Sequence, residues 1–175
     1  MRLRLLGANA TPVVAGLEEL PGKSNYFLGN DPRQWRTGVP AFARVRYKGI
    51  YPGFDLIYHG CQSQVEFDFV AAPGADVRAI TMEVAGLRAK VEKSEMGDEI
   101  QARIDSAGNL VLDTESGQLV LHKPVVYQTD SRKKRGRAQV DARYVMRGDR
   151  WQSAWGQIAR PITKLECMAS TLRTT

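Results

Sequence analysis

Short alternating segments separated by turn signals are the feature that most restricts what this chain can fold into. Residues that favour turns recur at roughly 8–12-residue spacing, and no strong amphipathic helical pattern interrupts them. In the clearest segment, Val65, Phe67 and Phe69 face one way while Glu66 and Asp68 face the other. The pattern predicts an all-β fold, either an antiparallel β-sandwich or an open barrel with long loops.

The same alternation predicts further strands. They are expected over residues 2–6, 42–47, 55–59, 80–84, 100–104, 110–113, 119–127 and 138–146. A tight turn is expected at Tyr51-Pro52-Gly53, because proline presets φ and glycine takes the next corner. Pro124 lacks an N–H group, so it confines its strand to an edge or splits it at a bulge. Residues 88–99 fit either a short exposed helix or a hairpin tip.

The segment 7–41 is rich in Gly, Asn, Asp and Pro, which predicts a long loop. A loop of this length without anchors would be unusual in a compact domain. We therefore expect Tyr26, Phe27 and Trp35 to anchor it on the core.

Length and charge restrict the class of protein. The 175 residues fit one domain, expected over 1–150, followed by an off-pattern, poorly packed tail over 151–175. Of the net charge of +6, five positive charges lie in the run 132–137, and the remainder of the chain is nearly neutral. That run lacks interleaved aromatic residues, which favours a solvated loop over nucleic-acid binding. No segment reaches the ~18 apolar residues of a membrane span.

Two carboxylates offer one possible chemistry. Glu66 and Asp68 lie two residues apart on one strand face, where they form either an acid–base pair or, as we prefer, a solvated strand face. Asp55 on the neighbouring strand would complete a cation site of oxygen ligands if it joined them. We favour the solvated face and expect no metal and no cofactor.

Histidine and cysteine offer a second possible chemistry. His59 and His122 are the only histidines, and no G-x-S-x-G motif is present. Cys61 follows His59 by two residues, yet both belong to a strand end where a surface role is expected. Cys61 and Cys167 are the only cysteines, without a CxxC pair, and whether they form a disulfide stays open. We therefore expect no catalytic residues and no enzyme.

Two short motifs carry little weight. Arg147-Gly148-Asp149 matches an adhesion tripeptide, and Asn9-Ala10-Thr11 matches a glycosylation sequon that Pro12 follows directly. Three-residue matches are common by chance, so no binding residue is assigned from them.

The order of several motifs resembles a known family. The motifs are GKSNYFLGNDP (22–32), WRT (35–37), ARVRY (43–47), YPGFDL (51–56), EFDFV (66–70), APGAD (72–76) and HKPVVYQ (122–128). Together they resemble the uncharacterised domain that precedes the SBBP β-propeller repeats of large bacterial secreted proteins. The resemblance covers about residues 3–150.

The resemblance implies an all-β, non-enzymatic module at the cell surface or outside the cell. It implies the downstream propeller as one partner, with another protein or a surface glycan as a further partner. The family domain begins further upstream and continues beyond residue 150, so we expect a product truncated at both ends. Whether Met1 is the native start, and whether 151–175 results from a frameshift, stay open.

The first hypothesis is thus a structural or interaction module. A second is a carbohydrate- or surface-binding β-sandwich, which exposed aromatic residues along a sheet face or loop edge would favour. Trp35, Tyr47, Tyr51 and Tyr58 are the candidates for that role. A third is a hydrolase, which would need His59 or His122 within reach of a carboxylate and a nucleophile.

Overall fold

The computed structural model describes residues 2–61, 64–85, 101–114, 117–130, 136–147, 150–155 and 168–172. The strands of this described part are β1 Arg2–Leu6, β2 Val13–Tyr26, β3 Arg36–Tyr51, β4 Phe54–Cys61, β5 Gln64–Ala71, β6 Thr81–Ala85, β7 Gln101–Ile104, β8 Leu110–Thr114, β9 Gly117–Asp130, β10 Gly136–Val140, β11 Ala142–Arg147, β12 Arg150–Trp155 and β13 Met168–Leu172. Two 3-10 turns, Pro32–Gln34 and Val77–Ala79, are the helical elements of the same ranges. The prediction of an all-β fold is confirmed.

The strands form two antiparallel sheets. The larger sheet has the order β2-β3-β4-β5-β13-β9-β8-β7, with β10 also paired to β9, and it curls into a half-barrel. The smaller sheet has the order β1-β6-β12-β11. β2 is therefore an edge strand of the larger sheet. Among the described residues, only one of its two sides pairs with a neighbouring strand.

The hydrophobic core contains side chains from both sheets. Its fully buried members are Phe54, Phe69, Ile80, Leu110, Leu112, Leu121 and Val126. On β5 the predicted alternation holds for Phe67 and Phe69, which are buried, whereas Val65 is exposed. A cavity of about 60 Å³ lies where β1 and β6 approach β4 and β5. Its lining is apolar and aromatic: Leu3, Leu5, Leu56, Tyr58, Phe67, Phe69 and Met82.

Two predictions that rest on proline and glycine are confirmed. Gly53 has φ +79°, the left-handed conformation that the turn after Pro52 requires. Pro124 falls where the register of β9 against β13 slips between Leu121 and Val125. The strand is therefore split at a bulge rather than confined to an edge, because β9 has neighbours on both sides.

The prediction of a loop over 7–41 is wrong. β2 and the first half of β3 occupy most of this segment and pair with each other as a long antiparallel hairpin. Several of the turn-forming residues lie inside the strands instead. The pairing of β2 with β3 is irregular there, because its register shifts between Glu19 and Lys23 and again between Ser24 and Tyr26. Pairing of β2 with the next strand along the chain, which local composition does not reveal, is what makes this segment extended.

Several predictions fall on residues outside the described ranges. They concern residues 88–99, the basic residues 132–135, the pair Gly148-Asp149 and Cys167. The division of the chain after residue 150 stays a prediction. Two described strands, β12 and β13, lie at or beyond that point, and both pair within the sheets.

Candidate functional site

Residues 19–43 form a two-stranded arm at the end of the larger sheet, called the hairpin arm below. β2 pairs with β3 from Val13 to Tyr26, whereas the register of β3 against β4 begins only at Arg44. The part of β3 before Arg44 spans about 26 Å at the rise of an extended strand. Across the described residues, the arm's two strands have only each other as ladder partners.

The end of the hairpin arm, residues 26–35, is its most apolar exposed part and is called the arm tip. The exposed fractions are 52% for Tyr26, 62% for Phe27, 58% for Leu28 and 39% for Trp35. The prediction that Tyr26, Phe27 and Trp35 anchor this segment on the core is therefore wrong. They are carried away from the core because the strands that hold them leave the body of the domain.

The aromatic side chains of the arm tip are fixed by contacts within the tip. The Trp35 indole N–H donates to the carbonyl oxygen of Gly29 at 3.2 Å. The rings of Phe27 and Trp35 meet edge to face, with centroids 5.1 Å apart and planes at 85°. The tip is thus a shaped cluster rather than a set of independent side chains.

A 3-10 turn closes the arm tip, and Asp31 is its N-cap. The Asp31 carboxylate accepts the backbone N–H of Arg33 at 3.0 Å and its guanidinium at 3.1 Å through two oxygens. These bonds from the Arg33 side chain and backbone lower the pKa of Asp31. The carboxylate therefore stays ionised, and the cap persists, well into mildly acidic solution.

The free edge of β2 is irregular. Glu18 has φ +57°, the one non-glycine residue with positive φ in the described ranges, and it lies just before the register shift of β2 against β3 between Glu19 and Lys23. Pro21 follows on the same strand and has no N–H to offer a further strand. Bulges and prolines are devices that blunt an edge strand, so this edge is poorly suited to strand addition.

A second candidate site lies on the outer face of β3, β4 and β5, where charged side chains pair across the strands. Arg46 pairs with Asp55 at 3.0 Å, and the other Asp55 oxygen accepts the Gly49 N–H at 2.8 Å. Arg44 pairs with Glu18 at 3.5 Å. Asp55 therefore has its own partners and does not join Glu66 and Asp68 as the cation-site hypothesis requires.

His59 lies between Glu66 and Asp68 on this outer face. Its Nδ1 is 3.4 Å from Glu66 Oε2, and its Nε2 is 3.2 Å from Asp68 Oδ2. The three side chains are only 20%, 21% and 19% exposed, respectively. The two carboxylates are thus partly buried and paired with histidine, rather than on the open solvated face that we preferred.

This cluster meets one of the requirements of the hydrolase hypothesis. His59 has a carboxylate within hydrogen-bonding distance, but the Cys61 side chain lies outside the described part of the chain. His122 lies exposed on β9, where its carbonyl oxygen accepts the Tyr144 hydroxyl at 2.8 Å. Within the described ranges, no three His, Cys, Asp or Glu side chains are arranged to hold a metal ion.

Three of the four aromatic candidates for sugar binding lie in or against the core. Tyr51 is buried, and Tyr47 and Tyr58 pack against the buried cluster with ring centroids 5.7 Å apart. Burial raises the pKa of Tyr51, and burial and then the neighbouring Tyr47 raise that of Tyr58. Only Trp35 of the four reaches the surface as an exposed side chain.

Comparison with known proteins places this fold in a family. The family model described as a domain of unknown function, DUF7948, matches residues 1–158. The chain belongs to the DUF7948 family. No curated protein and no solved structure matches it. Membership of DUF7948 assigns no activity, and the finer resemblance to the domain before SBBP repeats stays a prediction.

The sequence pointed to residues of both candidate sites of this DUF7948 chain but did not show how they come together. The His59 cluster follows from the register of β4 against β5, which places His59 opposite Glu66 and Ile57 opposite Asp68. That register also pairs Cys61 with Gln64, and alternation within each strand does not fix it. The arm tip had a signal in the adjacent Tyr26, Phe27 and Leu28, but composition alone does not show whether such residues are buried.

One further prediction concerns membrane spans. No helix among them is long and apolar enough to cross a membrane.

Proposed function

We propose that the chain is a non-enzymatic interaction module of a large bacterial extracellular or cell-surface protein, and that the arm tip is its contact surface. The observation that carries the proposal is the cluster of exposed Tyr26, Phe27, Leu28 and Trp35 at the end of the arm. Soluble domains rarely expose contiguous apolar side chains, and where they do, the patch commonly serves binding.

The internal contacts of the tip support a binding role. The Trp35–Gly29 hydrogen bond and the Asp31 cap hold the loop in one conformation. A partner that meets a fixed loop loses less conformational entropy on binding than one that must order it. The arm also holds these side chains clear of the body, where a partner can reach them.

Side-chain contact by the tip is favoured over strand addition along the arm. A partner that added a strand would need a regular row of N–H and C=O groups on β2. The positive φ of Glu18 and the missing N–H of Pro21, which lies within the register shift between Glu19 and Lys23, interrupt that row. The proposal therefore concerns the tip and not the edge.

The surroundings we propose for this module come from the family resemblance. It supports an extracellular or surface location, a downstream propeller as the neighbour in the parent protein, and no catalytic role. The charged outer face is consistent with that role, because His59, Glu66 and Asp68 form a mutually paired cluster. Such a pairing serves the sheet itself and does not require a substrate.

Glycan binding is a second candidate function, and Trp35 is the observation that favours it. An exposed indole stacks on sugar rings through its apolar face. The Phe27 and Trp35 planes stand at 85°, however, so they do not form a flat platform. With Tyr47, Tyr51 and Tyr58 in or against the core, Trp35 would be the principal aromatic contact.

The test compares binding of three forms of the labelled chain to envelopes isolated from bacteria. The forms are the natural chain, a tip variant carrying Phe27→Ser and Leu28→Ser, and a control carrying Val13→Ser and Val14→Ser. The control changes two exposed apolar side chains at the start of β2, at the other end of that strand from the tip. We expect the tip variant alone to lose binding, and a glycan array probed in parallel tests the second candidate.

Equal binding by all three forms would overturn the role of the arm tip. A thermal unfolding curve for each form shows whether the chain is folded. Because all four substituted side chains are exposed, each double variant is expected to unfold within a few degrees of the natural chain.

A further inference from the structure

The exposed end of the hairpin arm combines three kinds of side chain. Phe27 and Leu28, the most exposed large apolar side chains of the arm, lie in the loop beyond the last residue of β2. Tyr26 and Trp35, which carry one polar atom each, lie beside them. Lys23 is three residues further back on β2, about 10 Å along an extended strand.

The strand ends that flank the arm tip carry positive charge. Arg36 pairs in the ladder with Tyr26, and Lys23 with Pro40, so both cations are near the tip. The one acidic residue of the tip, Asp31, is bound by Arg33, whose side chain is 90% exposed. That pair is neutral, so the flanking Lys23 and Arg36 give this end of the arm a net positive charge.

We propose, resting on the role of the arm tip in binding, that its partner is an anionic lipid surface into which the tip inserts shallowly. In a bilayer the acyl region accepts apolar side chains, and the interface favours Trp and Tyr. The negatively charged headgroups attract Lys and Arg. Phe27 and Leu28 suit the acyl region, Tyr26 and Trp35 the interface, and Lys23 and Arg36 the headgroups.

The shape of the tip agrees with this partner. Its four large apolar and aromatic side chains are exposed at the end of an arm, so the tip suits a broad deformable surface better than a small polar ligand. Leu28 supports the same choice, because an exposed aliphatic side chain gives little to sugar recognition but partitions well into lipid. The backbone carbonyls of Asp31 and Pro32 accept hydrogen bonds within the loop. These bonds lower the free-energy cost of moving the loop from water into a less polar medium.

The test uses the full chain and vesicles of defined composition. Phosphatidylcholine vesicles, with and without phosphatidylglycerol, are sedimented with the natural chain, with the Phe27→Ser and Leu28→Ser variant, and with the Val13→Ser and Val14→Ser control. We expect binding to the anionic vesicles, a loss of about tenfold or more in the tip variant, and no loss in the control.

The cations are tested separately by Lys23→Gln and Arg36→Gln. Each change is expected to weaken binding to anionic vesicles about fivefold at low salt, with a smaller effect as salt is raised. Bromine-labelled acyl chains should quench the fluorescence of the natural chain. This quenching should be lost in Trp35→Phe, because the other two tryptophans, Trp151 and Trp155, lie on β12 of the smaller sheet.

The failure of this inference is distinguishable from failure of the proposed function. Binding to envelopes that depends on the tip but survives lipid extraction would overturn the lipid proposal and leave the interaction role standing, with a protein or glycan as partner. Equal vesicle binding by the tip variant and the natural chain would also overturn it. Tip-independent binding to both envelopes and vesicles would overturn both.

Discussion

The Tyr51 hydroxyl donates a hydrogen bond of 2.9 Å to the carbonyl oxygen of Leu6, and it lies 3.3 Å from the carbonyl oxygen of Thr81. Tyr51 ends β3 of the larger sheet, Leu6 ends β1 and Thr81 begins β6. One buried side chain therefore connects the larger sheet to two neighbouring strands of the smaller one, through groups that are distant in sequence.

Replacing Tyr51 with phenylalanine should destabilise the domain. The ring would remain packed, but the Leu6 carbonyl would lose its donor, so we expect a loss of about 1–2 kcal/mol in the free energy of unfolding. Urea denaturation followed by circular dichroism measures this. Tyr26→Phe is the matched control, since that hydroxyl belongs to an exposed side chain, and an equal loss in both variants would contradict the linking role of Tyr51.

Stability should also fall in alkaline solution. Burial raises the pKa of Tyr51 and of Tyr58 above the ordinary tyrosine value of about 10. Below that value both phenols are neutral in the folded and the unfolded chain, so they add no pH dependence. As the pH rises above about 10, the unfolded chain loses these protons first, which favours unfolding.

The measurement is a series of urea denaturation curves from neutral pH to about pH 11, paired with tyrosinate absorbance. We expect the free energy of unfolding to decline above about pH 10, and buried tyrosinate to appear together with unfolding. Tyr51→Phe should reduce the slope. A slope that is unchanged in both Tyr51→Phe and Tyr58→Phe would show that neither tyrosine causes it.

The parts of the fold that were predictable from sequence are those with local signals. Alternation placed Phe67 and Phe69 in the core, and Pro52-Gly53 marked a turn that Gly53 makes with φ +79°. Both depend only on neighbours in sequence. The all-β class follows from many such signals together.

The hairpin arm and the His59 cluster were not predictable in the same way, because each depends on which strands pair. β2 is extended through its ladder with β3, and its glycine and proline residues gave the composition of a loop. The aromatic residues of the tip suggested anchors because such residues are buried on average. They are exposed because the arm extends beyond the point where β3 begins to pair with β4. No local sequence pattern shows where that point lies.

Gly53→Ala should be strongly destabilising. A Cβ at this position would lie 2.8 Å from the Cβ of Ala75, and the backbone has φ +79°, which is strained for alanine. We expect a loss of about 1–3 kcal/mol in the free energy of unfolding. Gly22→Ala is the control, because a Cβ there meets nothing within 4 Å and needs no positive φ. A control change within about 0.5 kcal/mol is expected, and comparable losses would rule out the turn as the cause.

The pairing of His59 with two carboxylates should be measurable as a coupling energy. Each ring nitrogen of His59 has a carboxylate oxygen within 3.4 Å, so Glu66 and Asp68 hold the ring from two sides. Because all three side chains are mostly buried, we expect a double-mutant cycle of His59→Ala and Asp68→Asn to give a coupling of about 1–2 kcal/mol.

The pair Arg44 and Glu18 on the same outer face provides the comparison. Their side chains are 49% and 59% exposed and 3.5 Å apart, so Arg44→Ala and Glu18→Gln should couple by less than about 0.5 kcal/mol. Higher salt should weaken this exposed pair more than the His59 pair, since solvent ions reach it more easily. Equal couplings in the two cycles would mean that burial adds nothing to the His59 cluster, and its structural role would then have to be abandoned.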